Sequence, residues 1–255
     1  MVAAALRPSR PPAPDFSQIP SQLKALRRWL CWRYGEEPRQ NGKFPKVPYN
    51  RCGSKCDYTN PSEWNSYELA VRLYHEGAFD GIGFVLGDGI CGLDEDDCLQ
   101  NGGIEAVAAR HIEHLNSYAE ESVSGTGVHA LAFGTLPGER HKNGKHELYA
   151  EKRFFVVTGR RLPHSPRSVE FRDSQLGEVY RMIFGTDSAS QFPPITQVGG
   201  IRGNTTSLKT QSVPKFSDSK VIAAIHHNPV AHRYWLGYPP GINLSRADFA
   251  LMRQR

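Results

Sequence analysis

The stretch Gly89–Cys98, GICGLDEDDC, places four consecutive acids directly after an apolar run. Together with the preceding GIGFVLGD, it predicts two short buried strands joined by a turn at Gly87-Asp88-Gly89. Adjacent carboxylates repel one another, so the acids are typical of either a solvated loop or a cation site. If the second strand includes Asp94, the side chains of Asp94 and Asp96 share one face, about 7 Å apart, and Glu95 faces the other way. Two carboxylates on one strand edge can share a divalent cation.

The surrounding sequence alternates between helical and strand-like patterns. Asn60 as N-cap and Pro61 in the first turn predict the start of a helix that continues to residue 77. Further amphipathic segments predict helices over residues 104–120 and 174–185, and apolar segments predict strands over residues 127–134, 146–150 and 153–159. We therefore expect a mixed α/β or α+β domain.

Composition divides the 255 residues into four parts. Residues 1–20 are proline-rich without a period, which predicts a disordered leader. Residues 21–186 contain the alternating elements and are expected to form the folded domain. Residues 187–216 are rich in Gly, Pro, Ser and Thr and predict a linker, and residues 217–255 begin a helical unit whose continuation we expect beyond residue 255.

Charge is distributed unevenly along the chain. The net charge is +5, and residues 201–255 hold eight Lys and Arg against two Asp and Glu. Residues 1–200 are nearly balanced, with 23 against 24. A basic excess at one end suits contact with nucleic-acid phosphates, although many proteins with a pI near 9 bind no nucleic acid.

Cysteine usage and hydropathy predict a compartment. The five cysteines form no disulfide framework, no secretory signal is visible, and no stretch approaches the length of a membrane span. We expect a cytoplasmic protein of a bacterium or a phage-infected cell, without a membrane partner. Cys52 and Cys56 could form half of a zinc site, but no second Cys/His pair has finger-like spacing.

A second candidate element is SVSGTGVH, Ser122 to His129. Its small residues predict a turn whose backbone N–H groups could approach a triphosphate, and the following strand begins near His129. A tight hairpin followed by a structural histidine explains the same residues. A third acid, Glu147, begins an otherwise apolar strand; taken alone, it is typical of a surface position.

The order of these elements resembles the primase-polymerase (prim-pol) family of the archaeo-eukaryotic primase superfamily, especially its phage and plasmid type. The family pattern is an Asp-x-Asp pair, a small-residue turn with His, and then an acid on a strand followed by Arg and Thr-Gly. The resemblance extends to RRWLCWRY, GKFPKVPYN, RFFVVTG and SRADFAL, and so covers roughly residues 25–255. It implies a catalytic domain with a sheet like that of the RNA-recognition motif, followed by a small helical segment.

The resemblance also implies roles for individual residues. Asp94, Asp96 and Glu147 would hold Mg²⁺ or Mn²⁺. The incoming nucleotide would be bound by the following residues: Ser124, Gly125, Thr126, Gly127, His129 and Arg153. The acids and His129 would together carry catalysis. Lys43 and Lys46 are candidates for phosphate or template contact, and a solvated surface position explains them equally well.

The function that follows from this resemblance is DNA-dependent nucleotidyl transfer, by a primase, a DNA polymerase or both, during phage or plasmid replication. Its partners would be a single-stranded DNA template, a primer, nucleoside triphosphates and a replicative helicase module. Two metals would add each nucleotide to a 3′ hydroxyl. No Cys–His or Ser–His–Asp set competes with this chemistry.

Two residues depart from the family pattern. Glu95 replaces an aliphatic residue and would face packed interior, unless the strand ends early or Glu95 pairs with a cation. His146 replaces a commonly apolar residue. Glu95 favours an alternative function, a non-catalytic nucleic-acid-binding replication protein on the same fold. A rolling-circle nicking enzyme fits less well, because the adjacent His226 and His227 lack the His-x-His spacing of its metal site.

Overall fold

The computed structural model describes residues 8–100 and 102–185, which contain twelve strands and four α-helices. The helices are α1 (Ser21–Lys24), α2 (Tyr67–His75), α3 (Ala106–Leu115) and α4 (Asp173–Phe184). The strands are β1 (Trp29–Tyr34), β2 (Lys46–Tyr49), β3 (Gly81–Val85), β4 (Ile90–Glu95), β5 (Leu99–Gln100), β6 (Gly103–Ile104), β7 (Tyr118–Glu121), β8 (Val128–Phe133), β9 (Lys142–Asn143), β10 (His146–Tyr149), β11 (Phe154–Val157) and β12 (Glu170–Phe171). The mixed architecture confirms the predicted fold class.

Two largely antiparallel sheets form the centre of this domain. The first sheet has the strand order β11-β3-β1-β2. The second has the order β12-β8-β4-β10-β9, with β7 also paired to β8, and only the short pair β12–β8 among the described strands is parallel. β5 and β6 form a separate small hairpin.

The chain passes from the first sheet to the second at the predicted turn. Gly87, Asp88 and Gly89 all have positive φ, at 135°, 50° and 74°, a backbone conformation that glycine adopts at little cost. The buried guanidinium of Arg28 pairs with the Asp88 carboxylate and donates to the Leu86 carbonyl at 3.1 Å. β3 and β4 are therefore consecutive strands that lie in different sheets.

Side chains of β4 alternate between two cores. Ile90 packs in the core that also contains α2 and the first sheet. Cys91 and Leu93 pack with α3 and α4 on the other side. The second sheet thus has the first sheet on one face and two helices on the other. Because alternate residues of a strand point to opposite faces, Asp94 belongs to the side of the first sheet and Glu95 to the helical side.

The predicted strands over 127–134, 146–150 and 153–159 are confirmed as β8, β10 and β11, and the last predicted helix is α4. The single helix predicted from Asn60 is wrong in its extent. Asn60 caps only a 3₁₀ turn, Pro61–Glu63, and Ser66 caps α2 by accepting from Leu69 N–H at 3.3 Å. Between the two, Asn65 exchanges backbone hydrogen bonds with Trp29, which holds the chain extended.

The helix predicted over residues 104–120 also ends earlier. Asn116 adopts a left-handed conformation, with φ 42°, and terminates α3 after Leu115. The chain then forms β7, which pairs with β8. Local propensity did not predict this strand, because the pairing to β8 rather than the sequence of β7 stabilises its extended conformation.

Residues before α1 pack on the domain. Asp15 donates its N–H to the Thr158 carbonyl at 2.8 Å, and the ring of Phe16 lies 5.7 Å from that of Tyr74. Ile19 is only 3% exposed. The packed chain therefore begins before residue 20, where the sequence predicted a disordered leader, because apolar side chains after the prolines cover the core beside α2.

The predicted linker, residues 187–216, and the predicted helical unit, residues 217–255, lie outside the described residues and stay predictions. Within residues 8–100 and 102–185, none of the helices has the length and apolar character needed to cross a membrane.

Candidate active site

One row of polar side chains crosses four strands of the second sheet. Asp94 on β4 lies opposite Glu147 on β10 and opposite His129 on β8. His129 in turn lies opposite Glu120 on β7. Residues that lie directly opposite one another in an antiparallel pair project from the same face. The row Glu147–Asp94–His129–Glu120 therefore lies on the face that the second sheet turns toward the first.

Asp94 is at the centre of the row and faces a concentration of negative charge. Its Oδ1 atom lies 3.6 Å from His129 Nε2, and its side chain is 15% exposed. Burial raises the pKa of Asp94 above its ordinary value; His129 opposes the rise, and the negative charges of Asp96 and Glu147 add to it. The ionised carboxylate is thus costly in the folded protein unless a cation compensates it.

His129 is oriented by the neighbouring sheet. Its Nδ1 atom lies 3.1 Å from the Val156 carbonyl oxygen on β11, and a carbonyl can only accept a hydrogen bond. Nδ1 therefore carries a proton, and Nε2 is the ring atom directed at Asp94. The ring of Phe155 packs at 4.7 Å and holds the imidazole in place.

Glu147 is surrounded by donors. Its carboxylate accepts hydrogen bonds from the Lys142 ammonium, from the Tyr149 hydroxyl at 2.6 Å and from the Arg153 guanidinium at 3.1 Å. Burial alone would raise the pKa of Glu147, but these hydrogen bonds and the two positive charges lower it below the ordinary value. The carboxylate is ionised and held by cationic side chains of the chain itself.

A cleft of about 490 Å³ opens beside these acids. Its polar lining includes the following predicted site residues: Lys43, Lys46, Asp94, Asp96, His129, Glu147 and Arg153. Its aromatic lining is Phe44, Tyr58, Phe154 and Phe155. The fold thus brings seven predicted residues to one concave surface.

The small-residue turn, Ser124 to Gly127, does not line the cleft as the described residues form it. Its hydroxyls bond to one another: Ser124 Oγ lies 2.9 Å from Ser122 Oγ and 3.0 Å from Thr126 Oγ1. Thr126 also donates to Asp97 at 2.9 Å. Their role in nucleotide binding stays a prediction.

Gly127 has a clear structural reason to be glycine. A Cβ atom at this position would lie 2.6 Å from the Glu95 carbonyl oxygen. The turn therefore packs closely against the end of β4, directly beside Asp96.

Glu95 occupies the opposite face, as the alternation predicted. It has no exposed surface, and its carboxylate contacts His111 Nδ1 at 2.8 Å and His146 Nδ1. Among residues 8–100 and 102–185, Glu95, His111 and His146 are the only three metal-ligating side chains whose donor atoms all lie within 4.8 Å of one another.

Sequence reasoning missed three residues of this region. Lys142 and Arg39 both line the cleft, and Glu120 completes the buried row. For Lys142, a signal was present: the Asn143-Gly144 dipeptide is typical of a hairpin, and this hairpin places Lys142 opposite Glu147. Arg39 and Glu120 carry no local pattern that distinguishes them from other charged residues.

The chain was compared with known proteins. No family model matches it. The DNA primase-polymerase of Nitratiruptor phage NrS-1 is 32% identical over 184 residues, a match that covers 68% of this chain and 25% of the phage protein. The chain thus spans about a quarter of the length of this relative. The motifs, the mixed fold and this similarity agree, and we conclude that the chain belongs to the primase-polymerase family.

Proposed function

We propose that the described domain is a metal-dependent nucleotidyltransferase that extends DNA from nucleoside triphosphates, as a primase, a DNA polymerase or both. The observation that carries this proposal is the row Glu147–Asp94–His129 beside a cleft that is also lined by five Lys and Arg residues. Acids at the centre suit a divalent cation, and the surrounding positive charges suit phosphate groups. The similarity to a phage DNA primase-polymerase supports the same assignment.

Asp94 and Asp96 fit a hard divalent ion such as Mg²⁺ or Mn²⁺. Both side chains line one cleft and offer carboxylate oxygens to it. Oxygen donors are the ligands that these ions prefer. Within the described part of the chain, Asp94 has an ion pair only with His129. Its raised pKa indicates a carboxylate whose charge lacks compensation. We therefore propose Asp94 and Asp96 as the principal ligands.

Glu147 differs from these two acids because Lys142, Tyr149 and Arg153 already occupy its oxygens. For Glu147 to join as a third ligand, Lys142 must first release it. Lys142 lines the cleft and is more than half exposed, so its ammonium is free to turn toward a triphosphate instead. We propose that nucleotide entry and this exchange occur together.

Ions held by Asp94 and Asp96 would supply positive charge to the triphosphate and to the primer 3′ hydroxyl; that oxygen would bond to the α-phosphorus while the bond to the departing pyrophosphate breaks. The chain's own residues bind and orient the nucleotide. His129 would direct Nε2 to a phosphate oxygen and, with a second proton on that atom, donate a hydrogen bond to it, because its Nδ1–H already donates to the Val156 carbonyl. Lys43 and Lys46 offer further positive charge from the segment that leads into β2.

The position of Glu95 bears on the alternative function. A non-catalytic nucleic-acid-binding protein was the alternative because Glu95 departs from the family pattern. Glu95 lies on the face away from the cleft and pairs with two histidines there. The two histidines thus accommodate the departure away from the cleft, which supports the catalytic function over the alternative.

Template and primer binding are part of the proposal. The described cleft contributes Arg39, Lys43 and Lys46. The basic residues of 201–255 lie outside the described structure, and we propose that they add phosphate contacts whose strength falls steeply with salt. A helicase partner and a cytoplasmic location likewise stay proposals.

The test is extension of a labelled DNA primer on a single-stranded template, with Mg²⁺, Mn²⁺ or EDTA. The intact chain should extend the primer only with a divalent ion. Asp94→Asn and Asp96→Asn should each abolish extension, because each removes a charged oxygen ligand at nearly constant volume. Glu151→Gln, which changes a well-exposed acid to an amide, is the control and should stay active. Extension by Asp94→Asn at the rate of the unmodified chain would refute the proposal.

A further inference from the structure

The face of β4 away from the cleft carries a buried polar cluster. Glu95 projects there from β4, His146 from the neighbouring strand β10, and His111 from α3, which packs on this face. The Glu95 side chain has no exposed surface, the His111 side chain is 4% exposed, and that of His146 is 20% exposed. Three elements that are distant in sequence thus converge on one buried carboxylate.

The contacts of this carboxylate come from two imidazoles, one on each oxygen. A buried ionised carboxylate is stable only when it is paired or bound to a metal. Within the described part of the chain, the ion-pair partners of Glu95 are His111 and His146, and no lysine or arginine pairs with it. Neither partner carries a permanent positive charge. A divalent cation bound by all three side chains would be a permanent positive partner for the carboxylate.

The geometry of the two imidazoles suits a shared ion. His111 Nδ1 lies 2.8 Å from Glu95 Oε1, and His146 Nδ1 contacts the other oxygen, Oε2. The two rings are nearly perpendicular, at 86°, with centroids 5.1 Å apart. Each imidazole thus faces one oxygen of the same carboxylate, and one ligand atom from each of the three residues lies within 4.8 Å of the other two.

The donor types indicate which ion would bind. Two imidazoles and one carboxylate are typical ligands of Zn²⁺ and similar transition-metal ions, whereas Mg²⁺ prefers oxygen donors and water. A fourth position would be open to water on the side of His146, the partly exposed member, and this side also provides an entry path. Metal–ligand bonds of about 2.0–2.2 Å would replace the direct contacts between the histidines and Glu95.

We propose that Glu95, His111 and His146 form a second metal site, separate in ligand chemistry from the catalytic acids, which binds one Zn²⁺-class ion and fastens α3 to β4 and β10. Such a site would account for both departures from the family pattern, the acid at position 95 and the histidine at position 146. Glu95 ends β4 between Asp94 and Asp96, so the ion would stabilise the end of the strand from which both acids are presented. The proposal does not depend on the nucleotidyltransferase activity.

The test measures metal binding rather than activity. The intact chain is stripped with a chelator, incubated with Zn²⁺, passed through a desalting column and analysed for zinc by elemental analysis. One equivalent should remain bound, and the melting temperature should rise relative to the stripped protein. Replacement by Co²⁺ should produce the visible absorption of a four- or five-coordinate site.

Variants distinguish zinc bound at this site from zinc bound by the catalytic acids or elsewhere on the surface. His146→Ala should weaken Zn²⁺ binding at least about tenfold and remove the Co²⁺ absorption. Asp94→Asn should retain both, and so should His164→Ala, a control at an exposed histidine. Glu95→Gln offers a second ligand variant of nearly constant volume if His146→Ala fails to fold.

Two results would overturn the proposal. One is an intact, folded chain that retains no zinc and gains no thermal stability from it, which would identify the cluster as a hydrogen-bonded carboxylate with two histidines. The other is equal zinc retention by the intact chain, His146→Ala and Glu95→Gln, which would place the bound ion elsewhere.

Discussion

Asp94 Oδ1 lies 3.6 Å from His129 Nε2, across the directly opposed positions of β4 and β8. Thirty-five positions separate these residues in the sequence. The contact links the residue proposed to hold a metal with the residue proposed to bind a phosphate. We expect nucleotide binding to replace this long pairing with a cation on the acid and a phosphate oxygen on the imidazole.

The first prediction concerns the stability of Asp94→Asn. The pKa of Asp94 is raised in the folded protein, so ionisation costs stability at pH values above the raised pKa and costs none well below 3.8, the ordinary value. In EDTA, Asp94→Asn should therefore unfold at higher urea concentration than the unmodified chain at pH 7, and the difference should shrink as the pH falls. Equal midpoints at pH 7 would contradict this expectation.

Glu147→Gln should have the opposite effect on stability. The pKa of Glu147 is lowered by Lys142 and its other partners, so this carboxylate contributes stability above its unfolded pKa, and the contribution is lost as the pH falls through the lowered value. At pH 7 in EDTA, the urea midpoint of Glu147→Gln should fall, and that of the control Glu151→Gln should not change. Primer extension should fall at least about tenfold only in Glu147→Gln.

His129→Ala should weaken nucleotide binding rather than abolish metal binding. Loss of a charge-assisted hydrogen bond to phosphate costs about 1.5–3 kcal/mol, or about 10- to 150-fold in affinity. Calorimetric titration of a nucleoside triphosphate with Mn²⁺ would measure this loss. His164→Ala should bind as tightly as the unmodified chain. If His129→Ala bound the triphosphate normally, the assignment of Nε2 to phosphate would be wrong.

Gly127→Ala tests the close packing between the small-residue turn and the end of β4. The added methyl group would lie 2.6 Å from the Glu95 carbonyl oxygen, so the turn must move away from the end of β4. We expect a loss of about 1–3 kcal/mol in the free energy of unfolding. Gly103→Ala is the control, because its Cβ would meet only the Gln100 carbonyl at an ordinary 3.8 Å. Equal unfolding free energies for the two variants would show that the turn can move away.

The sequence alone was enough to locate the acids and their faces. Strict alternation along β4 placed Asp94 on one side and Glu95 on the other, and the structure confirms that Glu95 faces the helical layer. The order of the motifs along the chain resembled that of the primase-polymerase family, and the similarity to the phage DNA primase-polymerase confirms this family. These inferences succeeded because they depend on short-range geometry and on the order of residues along the chain.

Other features depended on contacts between distant segments. The division of β3 and β4 between two sheets, the extended chain at Asn65 and the formation of β7 are each decided by pairing with a strand elsewhere. No local propensity encodes such pairing, because the hydrogen-bond partner supplies most of the stabilisation.

The environments of the charged side chains likewise required the tertiary structure. Glu147 looked like a surface acid in isolation, yet it is buried and held by Lys142 and Arg153. Glu95 was expected to face packed interior as a departure from the family pattern, and only the structure shows that two histidines from α3 and β10 meet it there. A carboxylate's charge state and role depend on which groups surround it in space, and only the packed sheets and helices bring those groups together.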